Sequence, residues 1–110
     1  MVARCVTMHL KRNMAVEFKQ TLDTTVLPLL RRQQGFQDEV VLIAADGREA
    51  VGISFWDSQR NAEAYAEQSY VDVRRLLSKV TDGTPIVRSY EVSISTFDKT
   101  GAKGAASSST

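Results

Sequence analysis

Four side chains in the second half of the chain could together handle a small organic anion: Trp56, Tyr65, Tyr70 and Arg74. Tyr70 and Arg74 are four residues apart, the spacing that puts two side chains on one flank of a helix. A phenol hydroxyl beside a guanidinium can hold a phenolate or carboxylate, the guanidinium supplying a charge that no ordinary pH removes. Tyr65 falls toward the other edge of the same helix and could hydrogen-bond a second oxygen. Trp56 ends the strand-like run "EAVGISFW". It could wall an aromatic substrate, with its indole N–H orienting an oxygen, or it could simply seal a core. The plainer alternative for Tyr70 and Arg74 is a stacked pair on a helix flank, and Tyr90 reads as core.

Other chemistries are bounded more tightly. His9 is the only histidine, which excludes two-histidine metal sites and every HExxH motif. It is either a solvated or interface residue beside Lys11 and Arg12, or a general base near neutral pH. Strand spacing of ~3.4 Å per residue puts it roughly 20 Å from Trp56, so the two do not share a small site. Cys5 is the only cysteine, so no intrachain disulfide forms, and with no histidine or asparagine constellation around it a small-hydrophobe role fits best. Gly35, Gly47, Gly52 and Gly83 are isolated rather than gathered in a phosphate loop, and no nucleotide cofactor is indicated.

At 110 residues the chain is long enough for one core. Hydrophobic and charged contents of 43% and 25% suit a soluble globular protein, and the formal charge is only +1. Arg31-Arg32 and Arg74-Arg75 are pairs, not a basic stripe, so nucleic acid is not an expected partner. The N-terminus has no signal-peptide core, since Arg4, Thr7, His9 and Lys11 interrupt it. The apolar run "VVLIAA" is far short of the ~20 residues that span a bilayer. A cytoplasmic protein with no membrane partner is expected.

The elements follow from periodicity. Residues 2–10 alternate as a first strand, with Val2, Val6, Met8 and Leu10 on one parity. Residues 13–34 carry a helical stripe through Phe18, Leu22, Val26 and Leu29/Leu30, with Asn13 as a plausible N-cap, Gly35 beyond the C-terminus and a kink expected at Pro28. Asp46-Gly47 between two strand-like runs signals a hairpin with a type I′ turn. A second helix starts after Asp57 or Ser58, is open to a break near Gln68-Ser69, and ends at Gly83 and Pro85. Residues 86–97 alternate as a fourth strand, with Ile86, Tyr90, Val92 and Ile94 together. Residues 1–98 make the domain, and the low-complexity stretch 99–110 reads as a disordered tail.

The order βαββαβ is that of an α+β, ferredoxin-like fold with a four-stranded antiparallel sheet. Two helices cover one face. The second strand is apolar on both parities, so the other face needs a cover too, which points to a homodimer through the sheets.

The passages "VLPLLRRQQGFQDEVVL", "AVGISFWDSQRNAEAY" and "YEVSISTF" resemble the antibiotic-biosynthesis-monooxygenase group of dimeric α/β-barrel proteins. The resemblance spans about residues 2–97. It implies two sheets packed into a barrel, with a small cavity between sheet and helices in each subunit. Haem-degrading members of the group use an Asn, a Trp and a His, which fall at Cys5, Tyr65 and Arg74 or Arg75, so haem is not implied. Quinone-forming members carry an Asn where this chain has Gly52 and a Tyr where it has Ala62; Trp56 alone matches. What the resemblance implies is a cofactor-independent monooxygenase of a small aromatic or quinol-type compound. Arg74 would hold the substrate anion, Tyr65 and Tyr70 would bond its oxygens, and Trp56 would be a wall. The alternatives are a non-catalytic dimeric module that binds a small hydrophobic ligand, and an isomerase or decarboxylase with His9 as base.

Overall fold

The computed structural model describes residues 1–96. Strand β1 (Val2–Leu10) leads through Asn13 into helix α1 (Ala15–Thr21), a π-helical turn (Leu22–Val26) and helix α2 (Leu27–Arg31). Strands β2 (Phe36–Ile43) and β3 (Glu49–Trp56) form the hairpin, helices α3 (Gln59–Gln68) and α4 (Tyr70–Leu77) follow, and β4 (Thr81–Glu91) returns. The strands pair antiparallel in the order β2-β3-β1-β4, the topology of the ferredoxin-like fold. The expected tail at 99–110 lies outside the described residues.

Pro28 acts one turn earlier than its own position. Its ring would clash with the carbonyl of Thr24, and it has no N–H to donate there. The chain answers by widening: the Leu27 N–H reaches back five residues to the Leu22 carbonyl, and Thr24 Oγ1 donates to the Gln20 carbonyl at 2.7 Å. The wide turn keeps Leu22 and Val26 buried on the sheet side. Asn13 does not cap this helix. It takes a positive φ of 61° in the preceding turn, and Met14 stands at the N-cap position.

Ser58 does cap α3, its Oγ accepting from the Asn61 N–H at 3.2 Å. The second helix is broken at Ser69, whose hydroxyl donates to Gln33 Oε1 at 3.1 Å. The hairpin turn differs from the expected type I′. Gly47 donates to the Ala44 carbonyl and alone takes positive φ, while the Asp46 carboxylate accepts from the Arg48 N–H. One positive-φ residue suffices because the loop is longer than two residues.

Gly35 has a second constraint besides its φ of 83°: a Cβ there would lie 2.6 Å from Asn61 Cβ. Its carbonyl accepts from the Asp57 N–H, tying the exit of α2 to the entry of α3. Gly47 has a similar φ but open space around it. Gly47→Ala is therefore expected to cost about 1 kcal/mol, and Gly35→Ala at least about 1 kcal/mol more from overpacking. Urea denaturation of the two variants checks the order.

One face of the sheet packs on the helices around Leu10, Phe18, Val26 and Trp56, all fully buried. The fourth strand starts at Thr81 and ends at Glu91, so Gly83 and Pro85 lie within it rather than closing the helix. They are accommodated at a sheet edge by a register shift, where β1 advances from Thr7 to His9 while β4 runs from Ile86 to Asp82. Tyr90 is not core. It pairs with Ala3 on the parity turned away from the helices and is 52% exposed, as is its strand neighbour Ile86 at 58%. With Leu42, Val51, Ile53 and Cys5 they make an apolar sheet face that no element of the described chain covers.

Candidate functional site

The helix-facing side of the sheet is apolar except along one line. Register pairs Glu39 with Ser54, Ser54 with Arg4, and Arg4 with Ser89, so a polar row crosses all four strands. On one side of it stands an aromatic row, Phe36 and Trp56. On the other lies Val41, Gly52 and Val6. Charges are rarely buried singly, and Arg4 is only 6% exposed.

Its guanidinium lies 4.1 Å from the Tyr70 ring centroid and 5.5 Å from that of Tyr65. These are cation–π distances, and aromatic faces replace part of the lost hydration. The one ion pair among the described residues is Asp72 with Arg75, on the surface. Arg4 therefore offers charge without a carboxylate partner within ion-pair distance.

Behind the tyrosines, Trp56 stacks on Tyr65 with centroids 4.9 Å apart and meets Phe36 edge-on at 5.6 Å. Its indole N–H donates to Ser54 Oγ at 2.8 Å. That donor is thus already used, and Trp56 stands one layer back, holding the Tyr65 ring that faces the cavity.

The cavity, about 130 Å³, opens between the polar row and the helices. Phe18, Leu22, Val73 and Leu77 form its helical wall, and Arg4, Glu39, Ser54, Tyr65 and Tyr70 its polar end. Arg74 is exposed at its rim. An apolar cavity of about 150 Å³ takes one benzene ring. Gly52 makes room on the floor: a Cβ there would lie 3.1 Å from Glu39 Oε2.

Burial pushes the Glu39 carboxyl up to about 7, the adjacent Asp38 charge adds to this, and Arg4 opposes it. Tyr65 is raised as well, chiefly by burial and against the pull of Arg4, so it remains a phenol that can donate. Cys5 lies on the opposite sheet face, its thiol raised by burial.

Of the residues singled out from sequence, Tyr65 and Tyr70 come together, 6.2 Å between centroids. A continuous helix would have put them on opposite edges; the break at Ser69 turns both toward Arg4. His9 pairs with Glu49, at the far end of β3 from Trp56. Arg4, Glu39 and Ser54 were not anticipated. Their signal was available: each is a polar residue on the parity of its strand that otherwise carries the core.

Among the described residues no group of His, Cys, Asp and Glu could hold a metal ion, and no helix is long and apolar enough to cross a membrane. No family model matches the chain, and no curated protein matches it either. Solved structures do. A monooxygenase from the ActVA-Orf6 gene of Streptomyces coelicolor, in complex with nanaomycin D, aligns at TM-score 0.73 and 17% identity over 87% of this chain and 90% of that one. SnoaB, a cofactor-independent oxygenase from Streptomyces nogalater, aligns at 0.71 and 16% over 86% and 95%. A Bordetella bronchiseptica protein assigned by name to the antibiotic biosynthesis monooxygenases aligns at 0.71 and 11% over 84% and 97%. The chain thus carries, nearly end to end, the βαββαβ fold of the antibiotic biosynthesis monooxygenases.

Proposed function

We propose that the cavity binds a one-ring phenol or hydroquinone as its anion and that the protein converts it with O₂, without a bound cofactor, to a quinone and water. The observation that carries this is the buried Arg4 guanidinium, without an ion-pair partner and set at the polar end of an apolar cavity of one-ring size. Burying such a charge costs several kcal/mol, a cost that an incoming anion offsets. Phe18, Leu22, Val73 and Leu77 would clasp the ring. Arg4 would take the oxyanion, with the Tyr65 and Tyr70 hydroxyls as further donors to oxygen. Arg74, at the rim, would draw anions in rather than hold them. Trp56 would fix the Tyr65 ring from behind. An ionised ring gives up electrons to O₂ more readily than a neutral one, and the protein supplies orientation and charge rather than a redox group. The uncovered sheet face would pack against a second copy, leaving one cavity in each subunit.

Arg4→Met tests the reading. Benzoate affinity and O₂-dependent turnover of methylhydroquinone, followed by product mass spectrometry against an enzyme-free control, are each expected to fall by more than about tenfold. Thermal stability is expected to stay level or rise, because an unpaired buried charge has been removed. Unchanged benzoate binding would sink the assignment. A purely binding module is the second reading, favoured by Gly52 and Ala62 standing where quinone-forming proteins have Asn and Tyr. It predicts benzoate binding with no O₂ consumption on any phenol.

A further inference from the structure

We infer that Glu39 is the proton acceptor of this site: as Arg4 receives the ligand oxygen, a Glu39 carboxylate oxygen takes the proton that oxygen gives up. The inference rests on the aromatic-anion reading and adds the second half of its chemistry. Glu39 and Arg4 lie in the same cross-strand row with Ser54 between them, two strand spacings or about 10 Å apart. Both line the cavity, so a single ring between them can face one with each side. They are not an ion pair. The missing Cβ of Gly52 is what lets the Glu39 carboxyl lie over the cavity floor, since any side chain there would press on Oε2.

Charged and titratable groups face Glu39 from each packed element: Asp38 on its own strand, Arg4 on β1, Tyr65 on α3, Tyr70 and Arg74 on α4. Tyr65 is held in its neutral form by burial and does not compete for the proton. Arg4 keeps its proton at any working pH. That leaves Glu39 as the cavity base able to exchange a proton near neutrality. The step balances simply. The phenolic O–H bond breaks, the proton bonds to a Glu39 oxygen, and the electron pair stays on the ligand oxygen beside Arg4. With Glu39 neutral, the Arg4–phenolate pair has no like charge opposing it.

Two probes test this on the full chain. Benzoate is already ionised, so it binds only with Glu39 protonated. Its affinity for the wild type is expected to fall about tenfold per pH unit above roughly pH 7, and for Glu39→Gln to be flat across that range. 4-Cyanophenol brings its own proton. Bound to the wild type near pH 7 it should show the phenolate absorbance with no net proton exchanged with the buffer by calorimetry. In Glu39→Gln the bound phenol should either stay neutral or release its proton to the buffer. A Glu39→Gln variant that keeps the wild-type benzoate slope, or forms phenolate without proton release, overturns the role of Glu39 while leaving Arg4 as the anion anchor. Failure of benzoate to bind the wild type near pH 6 removes the aromatic-anion reading itself, and this inference with it.

Discussion

Truncating Trp56 to alanine is expected to cost about 4 kcal/mol of folding free energy, the upper part of the range for large aromatic side chains in cores. The ring has no solvent exposure and contacts Phe36 and Tyr65 on two sides. The void left behind would adjoin the cavity, so the site would also lose the surface that holds Tyr65 in place. Trp56→Phe separates the terms. It keeps an aromatic ring against Tyr65 but deletes the N–H that donates to Ser54 Oγ, and it should cost about 1–2 kcal/mol, part volume and part unmet hydrogen bond. Urea denaturation measures both. A loss below about 1.5 kcal/mol for Trp56→Ala would show that the aromatic row is not a supporting wall.

Glu39→Gln is expected to change stability in a pH-dependent way, and the sign follows from proton counting. The folded carboxyl titrates at about 7, against 4.5 for the unperturbed group. Below the lower value both folded and unfolded chains hold the proton, and the carboxyl contributes no pH dependence. Between the two values only the folded chain holds it, so wild-type stability falls as pH rises through that window. Above the upper value the loss is complete, at most about 3 kcal/mol at 1.36 kcal/mol per unit. Glutamine cannot ionise. The variant should therefore match the wild type near pH 4.5 and exceed it near pH 8 by up to about 3 kcal/mol in urea denaturation. A wild type that instead grows more stable across this range relative to the variant would mean that the carboxylate is stabilised by a partner. A gain in stability on removing a group needed for proton transfer is the trade expected where a site is held against folding.

The fold was largely legible in the sequence because the hydrophobic periods switch cleanly between 2 and 3.6, and because Asp46-Gly47 marks the hairpin. Boundaries were lost where a local signal pointed one way and pairing another. Gly83 and Pro85 look like helix stops, yet an edge strand with a register shift accepts both. Tyr90 looked like core because its strand alternates, but alternation alone does not say which parity faces the helices; the pairing of Tyr90 with Ala3 decides that. The site was half legible. Tyr65, Tyr70 and Arg74 were found by helical spacing, and all three reach the cavity. The charged pair deeper inside was missed because Arg4 looked like an interruption of a strand. Its parity, shared with Val2, Val6, Met8 and Leu10, was the clue. For Glu39 even parity would have misled, since the pattern of β2 changes phase partway along.

That change of phase has its own consequence. Opposite β3, Phe36 pairs with Trp56 and Asp38 with Phe55, so Gln37 is one residue too many in β2. Without it Phe36 and Glu39, three apart, would point to opposite faces of the sheet. With it, both reach the helix side, the aromatic beside Trp56 and the acid opposite Ser54. Gln37 therefore works like an inserted letter that sets the frame for everything after it: its identity matters little, its presence entirely. The edge of the sheet, where chains ordinarily tolerate length variation best, is here the one place where a single-residue deletion would carry either the acid or its aromatic neighbour out of the cavity.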